Sequence, residues 1–407
     1  MRISIAQTPT AALLLSTACL LTACGGGGGG GGESASGGSS VKVEELSAAG
    51  VLGEQIFNDP SLSASGQMSC ASCHNPNNAY AQSNALAVQL GGPTLSTAGT
   101  RAVPSLKYLT TETPPFHFES DGTPVGGFNH DGRAQTLAEQ AERPLLSPNE
   151  MANASKSDFV NRLKQTGYAE QFRQVFGAGI FDTPDDAFAR ALFAIQQYQV
   201  EDPSFHPFDS KYDAFLAGTA TLTDAELRGL ALFNRADKGN CAACHISGKG
   251  SDGSPPLFTD FTYDNIGVPR NPDIPANADS TYFDLGLCGP VRTDLADRPE
   301  LCGAFKVPTL RNVATRKVFF HNGQFKTLKD ALRFYVRRDT NPEEFYPIGV
   351  DGKVQKFNDL PDQYQKNVNT TEGPYNRTIG MAPALSEAEI DDVIAFLNTL
   401  TDGYTPR

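Results

Sequence analysis

Cys70-Ala-Ser-Cys73-His74 and Cys241-Ala-Ala-Cys244-His245 repeat one five-residue pattern within a single chain. Cys-x-x-Cys-His is the attachment signature of c-type haem: two thiols add to the vinyl groups of one porphyrin, and the next His ligates iron from one face. Two other uses of paired cysteines compete. A four-ligand zinc site would bring two Cys-x-x-Cys elements together and would not ask for a His after each. A thioredoxin-like redox pair sits in a βαβ context, which the flanking residues do not show. Two copies behind an export signal favour haem. The expectation is two covalent haem c groups, held by Cys70, Cys73 and His74 and by Cys241, Cys244 and His245.

The chain has eight cysteines, so four remain outside these motifs. Residues 1–23 read as an export signal, with Arg2 as the positive n-region and an apolar run from Ala11 to Leu21 as the h-region. Leu21-Thr-Ala-Cys24 resembles a bacterial lipobox, cleaved before a cysteine that becomes lipidated. The competing reading is ordinary cleavage near Ala23, which leaves Cys24 a free thiol. An unbroken glycine run over 25–32 follows at once and continues Gly/Ser-rich, a flexible tether over 24–45 that favours the lipid. The absence of Asp after Cys24 points to the outer membrane, with the rest of the chain facing the periplasm. Cys19 leaves with the signal. Cys288 and Cys302 are then left in an oxidising compartment, where a disulfide closing the polar loop between them is the natural reading. Such a closure stabilises by ~3 kcal/mol in the chain-entropy model.

At 407 residues the chain exceeds what one core usually organises, and 39% hydrophobic residues exclude a mainly disordered chain. The apolar run ending at Ala23 falls short of the ~20 residues of a spanning helix, so membrane contact is expected only through the lipid. The formal charge of −13 disfavours nucleic acid and anionic lipid and favours encounter with basic electron-carrier proteins.

Further blocks recur in the same order in both halves. Arg101-Ala-Val-Pro-Ser-Leu106 matches Phe305-Lys-Val-Pro-Thr-Leu310, and Asn129-His-Asp-Gly-Arg-Ala-Gln-Thr-Leu137 matches Phe320-His-Asn-Gly-Gln-Phe-Lys-Thr-Leu328. Helical periodicity marks 158–165, 187–198, 222–233 and 385–397, the last two opened by capping boxes at Thr223/Glu226 and Ser386/Glu389. Residues 248–308, dense in Pro, Gly and Asp, read as loop, and strands are scarce. The expected fold is mainly α: two tandem helical domains related by duplication, over 46–215 and 216–407.

The two haem motifs, the duplicated blocks and the helical spacers together resemble the bacterial dihaem cytochrome c peroxidases and their relative MauG. The resemblance runs from Leu52-Gly-Glu-Gln-Ile-Phe57 to the C-terminal helix. It implies that each half is a small cytochrome c-like domain, that the N-terminal haem reacts with peroxide, and that the C-terminal haem relays electrons. It makes His74 and His245 the proximal ligands, Glu150 the catalytic glutamate and Gln140 its companion amide. A carboxylate near iron suits peroxide cleavage, because it can take a proton from one oxygen and return it to the other. From the residues alone, Glu150 also reads as a solvated acid in the capping sequence Ser147-Pro-Asn-Glu150, and Gln140 as plain helix surface.

The resemblance also locates sixth ligands. Classical members carry a His in the loop after the first motif, whereas residues 75–100 contain none, which implies a five-coordinate peroxidatic iron. His117, the nearest spare, reads as an exposed loop residue. On the second haem the family's Met position, fourteen residues after His321, holds Tyr335, as in MauG. A phenolate is a hard anionic donor and lowers the potential relative to Met. A core aromatic is the competing reading of Tyr335, and Met381 the competing ligand. His321 would be a distal-side hydrogen bonder. His130 occupies the place of a Trp that the family sets between the haems, and the chain has no Trp, so hopping through an indole is excluded. An inter-domain calcium ion is implied as well, although Tyr108 stands where the family has an Asn ligand.

The expected activity is reduction of hydrogen peroxide with electrons from a cytochrome c or cupredoxin. MauG-like oxidation of a side chain in a partner protein, and simple dihaem electron transfer, are the alternatives.

Overall fold

The computed structural model describes residues 45–109 and 113–406. The expected signal, lipid site Cys24 and all but the last residue of the tether lie outside them. The described residues contain ten α-helices: α1 Ala48–Asn58, α2 Cys70–Cys73, α3 Leu137–Leu146, α4 Lys156–Leu163, α5 Ala169–Phe176, α6 Pro184–Glu201, α7 Lys211–Leu216, α8 Asp224–Asn234, α9 Leu328–Arg337 and α10 Glu387–Asn398. Strand is confined to three two-stranded antiparallel pairs: Leu90–Gly91 with Thr97–Ala98, His117–Phe118 with Pro124–Val125, and Tyr263–Asp264 with Phe305–Lys306. The molecule is therefore mainly helical. No helix among the described residues is long and apolar enough to cross a membrane.

Two large apolar clusters dominate the core of the described residues. The first runs from Leu52 to Ile195 and joins α1, α3, α4, α5 and α6; the second runs from Tyr212 to Leu400 and joins α7, α8, α9 and α10. Each is organised by one close helix crossing, α1 on α6 and α8 on α10. Glycine makes both crossings. A Cβ on Gly53 would lie 1.9 Å from the Ala194 carbonyl oxygen, and one on Gly229 would lie 2.0 Å from that of Asp392. Only hydrogen fits there, so the backbones themselves are in contact.

Capping sets the helix starts. The boxes Thr223/Glu226 and Ser386/Glu389 form as read from the sequence. The helix expected from Asp158 begins two residues earlier, because the Ser155 hydroxyl accepts from the Asp158 N–H. Cys288 and Cys302 form a disulfide with Cα atoms 5.0 Å apart. Within residues 248–308, where only loop was expected, Tyr263–Asp264 and Phe305–Lys306 form a short antiparallel ladder.

Candidate functional site

Both Cys-x-x-Cys-His segments fold as a single tight turn. The His74 N–H donates to the Cys70 carbonyl and the His245 N–H to the Cys241 carbonyl, each at 2.8 Å. The turn brings the two sulfurs and the imidazole of each motif together. In both, Nδ1 meets a backbone carbonyl: His74 with Tyr80 at 3.1 Å and His245 with Phe258 at 2.8 Å. A proton held on Nδ1 leaves Nε2 bare, the tautomer a metal-ligating imidazole needs. Burial lowers His74 to about 4 and lowers His245 as well, so both rings are neutral.

None of the four motif cysteines is in a disulfide, and burial pushes Cys70 up to about 12, Cys73 to about 11, and Cys241 and Cys244 to about 12. A redox-active pair needs the opposite shift. Among the described residues no three His, Cys, Asp or Glu side chains are arranged as a site for a free metal ion.

A cleft opens beside the first motif. Cys70, Cys73, His74, His130, Gln140 and Glu150 all line it, so four separate stretches of the chain converge as the sequence proposed. Apolar walls come from residues such as Phe57, Leu106 and Ile195. Such a space, with two thiols and a bare imidazole on its wall, fits a covalently held macrocycle.

Glu150 stands at the end of a turn built from Pro144 onward. Its N–H donates to the Ser147 carbonyl at 3.0 Å and its own carbonyl accepts from Gly92 N–H at 2.8 Å. The hairpin holding that contact approaches through a bare backbone, since a Cβ on Gly91 would lie 2.4 Å from the Asn149 carbonyl oxygen. The carboxylate is thereby set into the cleft wall, where Oε2 is buried without any hydrogen-bond partner. Burial raises its pKa against the pull of Arg143 and Arg133. An orphaned carboxylate oxygen is costly and marks a place where a ligand atom belongs.

At the second motif, Tyr335 on α9 lies close enough to Cys241, Cys244 and Asp264 for their charges to add to the burial that raises its phenol. Met381, the competing ligand, is 54% exposed. Tyr375, which the sequence reading missed, stacks on Tyr335 with ring centroids 6.0 Å apart and itself carries the Arg338 guanidinium at 4.5 Å. It sits in the turn after Gly373-Pro374, and no periodicity points to it.

Between the two motifs lies a polar junction. His130 Nε2 donates to the Ala102 carbonyl at 3.0 Å, and the Ala102 N–H donates to the His321 carbonyl at 2.7 Å. The His321 ring lies flat on Phe305 at 3.6 Å, its Nε2 buried and unpartnered. Burial lowers His130 to about 4 and His321 to about 3. Arg101 binds Asp284 with two nitrogens at 2.6 and 2.7 Å and Asp131 with a third at 2.7 Å. Burial alone would raise Asp284, but the Arg101 guanidinium outweighs it and holds the carboxyl at about 2. His117 is exposed and bonds only Pro115 and Glu119, away from the cleft. The Tyr108 hydroxyl donates to Asp402, whose carboxylate also takes Lys107 Nζ and the Asn312 amide.

Residues 47–221 match the family model described as di-haem cytochrome c peroxidase. The methylamine utilization protein MauG of Paracoccus denitrificans is 34% identical over 87% of this chain and 89% of its own length. The cytochrome c551 peroxidase of Nitrosomonas europaea is 30% identical over 73% of this chain and 76% of its own. The crystal structure of the diheme peroxidase BthA from Burkholderia thailandensis superposes with a TM-score of 0.80 at 40% identity, covering 88% of this chain and 87% of that one. The chain belongs to the dihaem cytochrome c peroxidase/MauG family. It is an oxidoreductase with haem c as its cofactor class.

Proposed function

We propose that this chain reduces hydrogen peroxide to water at the site of Cys70, Cys73 and His74. Two electrons and two protons are consumed per peroxide, the electrons coming from an external cytochrome c or cupredoxin through the site of Cys241, Cys244, His245 and Tyr335. The observation that carries this reading is the unpartnered Oε2 of Glu150 in the wall of the cleft shared with His74. Haem, when bound, supplies an iron that accepts the peroxide and passes it electrons. Glu150 takes the proton of one peroxide oxygen and delivers it to the departing one, for which a buried carboxyl with a raised pKa is suited. Gln140 orients that exchange from α3. Steady-state turnover of peroxide with reduced cytochrome c or a copper protein tests the proposal, and no turnover with either donor refutes it.

The second reading is peroxide-dependent oxidation of a side chain in a partner protein, favoured by Tyr335 beside the second motif and by the likeness to MauG. A partner whose mass changes only after peroxide treatment would establish it. His130 in place of an indole counts against it.

We also propose that each motif carries one haem c, that the two cores belong to duplicated domains over 46–215 and 216–407, and that the chain is exported and tethered to the outer membrane through lipid on Cys24. The matched blocks and the lipobox support these. Calcium has less support, since the Asp402 carboxylate beside Tyr108 is already neutralised by Lys107.

A further inference from the structure

Charge in the junction does not balance among the side chains. Its two carboxylates, Asp131 and Asp284, are taken up by the guanidiniums of Arg101 and Arg133. Arg316 has no carboxylate within ion-pair distance among the described residues. It donates from Nη2 to the Val103 carbonyl at 3.0 Å and from Nε to the Val318 carbonyl at 3.3 Å. Desolvation lowers it to about 10, and its charge in turn disfavours protonation of His74 and His130. Val103 and Pro104 form part of the cleft wall, so this uncompensated cation lies one hydrogen bond from the site that His74 lines. Lys306 is a second such cation: its backbone N–H donates to the His130 carbonyl at 2.8 Å, while desolvation lowers its ammonium to about 8.

A half-buried guanidinium with no carboxylate partner and a free fork nitrogen is better stabilised when an anion joins it. The side chains offer none, and the group expected in the cleft carries two carboxylates of its own. We infer that Arg316, a residue of the C-terminal half, binds a haem carboxylate of the macrocycle attached to Cys70 and Cys73 in the N-terminal half. The inference rests on the haem reading above. It makes the potential of the first haem depend on a side chain from the other half, because a nearby cation favours the ferrous, less positive centre.

The experiment is a spectroelectrochemical titration of the holoprotein and of Arg316→Gln and Arg316→Lys, each first assayed for haem content. Arg316→Gln is expected to lower the midpoint potential of the N-terminal haem by 59 mV or more, a tenfold change in its one-electron equilibrium constant. Arg316→Lys keeps the charge but loses the planar fork. It should retain most of the potential while shifting the propionate bending band in the resonance Raman spectrum. Should Arg316→Gln fail to keep its haem, Arg316→Lys decides: an unmoved band with an unmoved potential overturns the inference. Two haems per chain with the potential unchanged in Arg316→Gln overturns it too and leaves the haem reading intact. Fewer than two haems in the unaltered protein refutes the haem reading itself.

Discussion

Replacing Glu150 by Gln keeps the shape of the side chain and removes its charge, which separates catalysis from stability at one position. The carboxyl is buried, Oε2 has no partner, and its pKa is raised by that burial. A carboxyl whose folded pKa exceeds the unfolded ~4.3 binds its proton more tightly in the folded state. On its account stability is fully present below the unfolded pKa and is lost as pH rises through the folded one. At pH 7 the charged form is therefore a burden on the fold, and Glu150→Gln should melt at the same temperature or higher. Catalysis should go the other way. A positioned proton-transfer group is worth ~10²–10⁴ in rate, or ~2.7–5.4 kcal/mol of barrier. The assay is kcat/KM for peroxide with a reduced donor, beside thermal melting of the same preparations at two pH values. In the unaltered enzyme kcat/KM should fall as pH drops through the raised pKa, and the variant should lose that limb. A loss of less than tenfold, or a variant clearly less stable at pH 7, would show that Glu150 is structural and that the proton moves elsewhere.

Three further changes test the supporting structure. Gly91→Ala would put a Cβ 2.4 Å from the Asn149 carbonyl oxygen, so the turn bearing Glu150 must move; turnover should fall ~10²-fold with haem content unchanged in the absorption spectrum. Tyr335→Met should raise the midpoint potential of the C-terminal haem, as exchange of an anionic oxygen for a thioether does; potentiometry showing no change would remove Tyr335 from the iron. Gly229→Ala would drive a Cβ to 2.0 Å from the Asp392 carbonyl oxygen and part α8 from α10, costing at least ~1–3 kcal/mol in denaturant unfolding.

What could be read in advance followed the range of the interactions. Cys-x-x-Cys-His, the capping boxes at Thr223 and Ser386, and the Cys288–Cys302 bridge are local patterns or follow from counting, and all lie in the sequence itself. α4 opens two residues before its apolar periodicity begins, because Ser155 caps it through the Asp158 N–H. Glu150 was legible only through a resemblance: as sequence it is one acid among 46 Asp and Glu residues, and its meaning comes from a glycine hairpin sixty residues upstream. Pairings such as Arg101 with Asp284, the stacking of Tyr375 on Tyr335, and the approach of Arg316 to Val103 join residues from distant segments, and no period or spacing announces them. The short strands went unseen for the same reason, since two-residue ladders are too brief to show alternation.

The peptide of Ala102 is gripped from both sides, by the imidazole of His130 on its oxygen and by the His321 carbonyl on its nitrogen. The Ala102–His321 contact crosses between the halves, as do the Lys306 N–H on the His130 carbonyl and the Arg101–Asp284 pair, so a motion that parted the halves here would have to break several bonds together. Electron transfer between the two motifs is therefore expected to run at a rate that does not respond to solvent viscosity.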